Sequence, residues 1–213
     1  MAEVGCLKDG HFQNLQVEGN TILGGSIFNK LTYTSAELGT NAAGWADSPA
    51  TVNVSEHNGI VETIVFLDLH AATCDAGGSA KDVISKAGAG YFMQLQKEIN
   101  GYIFHVSMTC VETPTGSIDE DIDLVTNTNS INGSAAFDGA GTPKILITAG
   151  ASWTIGTSIG ADLAIGTSTA GLDNHYVYLA GGNDGGTSGN PYTAGKFIIK
   201  FLGVVSKPDG SVF

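Results

Sequence analysis

Almost every apolar stretch of this chain is of strand length and ends in a cluster of Gly, Asn, Asp, Ser or Thr. The segment 51–56 (TVNVSE) alternates, and 60–70 (IVETIVFLDLH) is a long apolar, β-branched run. Further runs follow at 90–96, 101–113, 121–128, 143–150, 174–182 and 194–206. Gly, Asn and Asp accept the backbone angles that tight turns require, so each cluster reads as a connection between strands. The 30 glycines keep no three-residue period, which excludes a collagen-like chain. Isolated strand pairs bury too little to persist in water, so strands in this number must stack into a sandwich or close into a barrel. Eight or so suits a jelly roll. The fold class read is all-β: a jelly-roll-like β-sandwich body with an N-terminal β-arm and at most one short helix.

That helix is expected over 79–88 (SAKDVISKAG), where Ala80, Val83, Ile84 and Ala87 fall at helical spacing between a Ser79 cap and a Gly88 stop. Asn100-Gly101 is a strong turn signal and predicts a hairpin between 90–96 and 101–113. In the second strand of that hairpin, simple alternation puts Tyr102, Phe104, Val106 and Met108 on one face. Ile103, His105, Ser107 and Thr109 take the other. The repeated Ile-Gly-Thr-Ser at 155–158 and 165–168 has the spacing of a meander.

The first 40 residues differ from the rest. Leu15, Val17 and Ile22 mark two very short alternating segments broken at Gly19-Asn20 and Gly24-Gly25. Such a pair must lean on another surface. The organisation read is an attachment arm over 1–40, a linker over 41–50, and the sandwich over 51–213. Phe12, Leu15, Val17, Ile22, Leu23 and Ile27 are the expected contact residues of the arm.

Charge removes several functions. Nine Lys+Arg against 21 Asp+Glu give a formal net charge of −12, so no clustered basic surface is expected for a nucleic-acid backbone. With only 14% charged residues and a mean hydropathy of +0.12, the chain is not disordered. No run of 18 apolar residues occurs, so no membrane span is expected. The N-terminus lacks the basic and apolar regions of a secretory signal. Cys6, Cys74 and Cys110 are odd in number and widely spaced, and are read as reduced. A protein made in a cytoplasm and used elsewhere fits.

No motif reads as catalytic. Gly156-Thr157-Ser158-Ile159-Gly160 matches the nucleophile-elbow pattern, but no helix follows it, and it is read as loop composition. Asp119, Asp121 and Asp123 alternate, and on a strand would share a face that could hold a Ca²⁺ ion; an acidic, solvated loop is the plainer reading. His11, His57, His70, His105 and His175 show no metal-ligand pairing. Tyr176, Tyr178 and Tyr192 are read as core or interface residues in preference to a sugar-stacking face. No cofactor is expected.

Two longer stretches, CVETPTGSIDEDIDLVTN and HYVYLAGGNDGGTSGNPYTAGKFIIKFLGV, resemble the bodies of virion structural proteins of marine tailed phages, cyanophages in particular. The opening KDGHFQNLQVEGNTILGG is similar to phage proteins whose short β-repeats anchor an appendage. The resemblance implies a non-catalytic particle protein made in the host cytoplasm, a homotrimer whose partner is the major capsid protein or another virion protein. A capsid decoration (knob or cement) protein is the expectation. The alternative is a tail-fibre or appendage tip whose loops 151–172 and 181–192 read host-surface glycans.

Overall fold

The computed structural model describes residues 22–23, 26–27, 51–74, 82–86, 88, 90–116, 120–133, 135–163, 172–182 and 191–205. The linker 41–50, the predicted arm contacts Phe12, Leu15 and Val17, and the second Ile-Gly-Thr-Ser at 165–168 lie outside the described residues.

The described chain is all-β, built from two antiparallel sheets and a two-strand hairpin. The hairpin pairs β1 (Ile22–Leu23) with β2 (Ser26–Ile27) on either side of Gly24-Gly25, and β2 comes alongside β3. The first sheet has five strands in the order β3 (Thr51–His57), β4 (Ile60–Asp68), β11 (Ala194–Val204), β6 (Tyr102–Thr115) and β9 (Ser158–Asp162). The second has four, in the order β5 (Met93–Gln94), β10 (Tyr176–Gly181), β7 (Ile122–Asn127) and β8 (Lys144–Ile147).

Period-2 patterning sets the core. Val61, Val65 and Leu67 of β4 point inward with Phe197, Ile199 and Phe201 of β11 and Val106, Met108 and Cys110 of β6. They meet Ile122 and Leu124 of β7 and Val177 and Leu179 of β10 across the sandwich. Trp153 closes one side, edge-on to Phe197 at 5.3 Å between ring centroids, with its indole N–H donating to the Ile122 carbonyl. Cys74 and Cys110 are buried, and burial pushes the Cys110 thiol up.

The two sheets differ on their outer faces. The outer face of β7 and β10 is covered by the chain itself: Val125, Tyr178 and Ala180 pack against Val83, Tyr91 and Phe137 as a second apolar cluster. Two buried side chains hold that cover down. Asn127 Nδ2 donates to the Phe137 and Ala140 carbonyls, and the Tyr178 hydroxyl donates to the Asn129 carbonyl at 2.6 Å while accepting from the Ile131 N–H. Gly141, at φ +81°, sits where a Cβ would strike the Asn127 amide.

Three expectations are corrected. Residues 82–86 are extended, bridging Asp82 to Ala136, Val83 to Ala180 and Ser85 to Thr73. The helical spacing was too short to hold a helix against these pairings. Next, 90–96 and 101–113 are not a hairpin: β5 pairs with β10 in one sheet, and β6 with β11 and β9 in the other. The one-turn helix α1 (Lys97–Asn100) and Gly101 carry the chain across the end of the sandwich. Buried Asn100 fixes that corner, donating to Thr63 Oγ1 and accepting from the Gln96 N–H, and a Cβ on Gly203 would collide with its carbonyl. Finally, the alternation along β6 slips. Leu202 faces His105 but Gly203 faces Ile103, so Phe104 is an extra residue in a bulge. Ile103 is therefore buried in place of Tyr102 and Phe104.

Candidate functional site

Among the described residues, the outer face of the five-stranded sheet is left open. Its cross-strand register gives one row of Thr51, Phe66, Ile198, Thr109 and Ser158, and a second of Asn53, Ile64, Lys200, Ser107 and Gly160. A third holds Ser55, Glu62, Leu202, His105 and Asp162. The polar edge strands thus flank an apolar stripe on β4 and β11, formed by Ile60, Ile64, Phe66, Ile198, Leu202 and Val204. Lys200 and Glu62 interrupt it as an ion pair at 2.7 Å.

One end of the stripe is shaped into a cleft of about 200 Å³. Phe66, 44% exposed, forms one wall, and Val111, 38% exposed, forms the other. Val111 stands on this face by the same alternation as Thr109, and a second irregularity of β6 follows: Phe197 faces Cys110 and Lys196 faces Glu112, so Val111 is the extra residue and Glu112 is turned onto the same face. Bulges re-aim side chains in this way. Between the walls stand Thr51, Asp68 and Lys196. Lys196 Nζ lies 2.7 Å from Glu112 Oε2 and 3.9 Å from Asp68 Oδ2. The Lys196 ammonium holds the Glu112 carboxyl below the usual carboxylate range, and Glu112 in turn raises Lys196. Asp68 Oδ1 accepts the His70 backbone N–H at 2.9 Å.

At the β9 edge, the His105 imidazole Nδ1 is 2.6 Å from Asp162 Oδ1, with Gly160 beside the ring. Ser158 lies on this strand and shares a 2.8 Å hydroxyl bond with Thr109. The nucleophile-elbow pattern therefore falls on a turn and an edge strand, not on a strand-to-helix turn. The sequence reading of a loop is thus corrected in part, since Ser158, Ile159 and Gly160 belong to strand β9.

Of the candidate metal residues, Asp119 lies outside the described residues. Asp121 and Asp123 are buried at the start of β7, against the expectation of a solvated loop. Asp123 Oδ1 accepts the Ala149 N–H at 2.8 Å, and burial raises its carboxyl. Asp121 sits against Gly182, whose N–H donates to the Asp121 carbonyl. Among the described residues no three His, Cys, Asp or Glu side chains gather in metal-binding geometry.

Of the predicted arm contacts, Ile22, Leu23 and Ile27 are placed in the β1–β2 hairpin, Ile22 opposite Ile27. Tyr178 and Tyr192 are fully buried and Tyr176 is half-buried against Tyr91, so the tyrosines are structural. In the loops named for glycan reading, Ile155 is 69% exposed at a turn, and 164–171 and 183–190 lie outside the described residues. Sequence reasoning missed the Phe66–Val111 cleft. Its one local signal was an aromatic at an outward position of a strand otherwise read as a core run.

No protein-family model matches the chain, and no curated protein matches its sequence. No described helix is long and apolar enough to cross a membrane.

Proposed function

We propose that this chain is a structural protein of a tailed-phage virion, a capsid decoration protein that acts by binding and not by catalysis. The observation that carries the reading is the contrast between the two sheets. A core completed within one chain, from Val65 to Phe201, makes a rigid body. One sheet is sealed by its own loops, while the other presents an apolar stripe, and exposed apolar patches of this kind mark contact surfaces. The short hairpin at 22–27 precedes the body in the chain, which suits an attachment device carrying a projecting knob. In this reading residues 1–40 engage the major capsid protein by strand addition or groove filling, and copies of the body assemble as a trimer. A net charge of −12 keeps the free subunit soluble.

The experiment is decoration of emptied heads of the encoding phage by purified chain. Full-length protein saturates the heads, and a variant lacking residues 1–30 stays in the supernatant while keeping its folded β spectrum. Equal decoration by the truncated chain overturns the assignment.

The second reading, an appendage tip that binds host-surface glycans, is favoured by one observation, the cleft between Phe66 and Val111.

A further inference from the structure

We infer that the Phe66–Val111 cleft is a binding site for the ring of a neutral hexose. The inference does not depend on where on a particle the chain resides. A hexopyranose has an apolar C–H face and a polar rim of hydroxyls that both donate and accept. The cleft offers the matching halves. The exposed ring of Phe66 supplies a flat apolar wall, and Val111, exposed on the same face, closes the opposite side. Lys196 supplies N–H donors beyond the one held by Glu112, which stands outside the lining, and Asp68 supplies carboxylate acceptors. These three are held in position by one another and by the His70 N–H, so little ordering is required on binding.

Size and charge narrow the ligand further. At about 200 Å³ the cleft is smaller than drug-sized pockets, and suits a single ring. Two carboxylates face one ammonium there, on a chain of net charge −12, so uronic and sialic acids are repelled and neutral sugars admitted. Four strands contribute: β3 brings Thr51, β4 brings Phe66 and Asp68, β11 brings Lys196, and β6 brings Val111.

The test is saturation-transfer NMR on the full chain with methyl glucoside, methyl galactoside and methyl mannoside at ~10 mM, with glucuronate as control. Transfer to ring C–H protons of at least one neutral sugar is expected, with none to glucuronate. Phe66→Ala lowers that signal by about fivefold or more, and Phe66→Trp keeps it. Val111→Arg, which fills the cleft from the other wall, gives the same loss and guards against a folding defect at Phe66. Absence of transfer from all three sugars overturns the inference. So does transfer that both Phe66→Ala and Val111→Arg leave unchanged, or equal transfer to glucuronate. Dissociation of an oligomer by Phe66→Ala in sedimentation, without sugar transfer to the parent chain, assigns this face to a second copy instead.

Discussion

His175 is buried between β10 and the turn before it, with Nδ1 3.3 Å from Thr126 Oγ1. Burial, helped by the charge of Lys144, pushes its pKa from 6.5 down to about 4, so the fold holds it neutral. The unfolded chain takes up a proton as pH falls below about 6.5, and the fold does not until about 4. The stability contributed by neutral His175 is therefore complete above pH 6.5 and lost on acidification toward 4. At 1.36 kcal/mol per unit this amounts to about 3 kcal/mol. Urea unfolding at pH 7 and pH 4.5 checks it: the loss shrinks in His175→Gln, whereas an unchanged loss contradicts the assignment. Asp123 works in the opposite sense, since burial raises its carboxyl and protonation favours the fold. A second prediction concerns Asn100. Asn100→Ala leaves Thr63 and the Gln96 N–H without their buried partner, costing about 2–4 kcal/mol for two bonds. Asn100-Gly101 was legible as a turn, but the long-range role of the amide in locking the sheet corner carries no local signature.

At the scale of elements, the strands were readable where alternation met turn residues. Strands β3, β4, β7, β8, β10 and β11 fall within a few residues of the segments at 51–56, 60–70, 121–128, 143–150, 174–182 and 194–206. What failed was pairing. A turn signal gives a change of direction and not a partner, so Asn100-Gly101 was read as a hairpin when it marks a crossing between sheets. Over 82–86, Val83 bridges Ala180, the Ile84 N–H donates to the Leu179 carbonyl and Ser85 bridges Thr73, pairings that outweigh a weak helical spacing. The bulge at Phe104 reverses which residues face the core, the one at Val111 turns Glu112 outward, and only cross-strand register reveals them. A prediction follows at this scale: Met108→Ala, deep on the inward side of β6, costs about 2–5 kcal/mol in urea unfolding, while Thr109→Ala on the outer face costs under about 1. Equal costs contradict the register.

For the whole molecule, the all-β sandwich was legible because 42% hydrophobic residues in strand-length runs admit few other arrangements. The open face was not. Phe66, Val111 and Lys196 are distant in sequence, and their meeting follows from β11 inserting between β4 and β6. Nor did sequence show that β7 and β10 are covered on both sides, which leaves the stripe on β4 and β11 as the body's open apolar face among the described residues. In the function proposed above, this body is carried outside a shell on its N-terminal segment. A density map of particles of the encoding phage measures it most directly. Trimeric knobs projecting from the capsid are expected, with residues 22–27 nearest the shell and the five-stranded sheet away from the capsid floor. Particles that lack the chain, or that embed the sandwich within the shell, would contradict it.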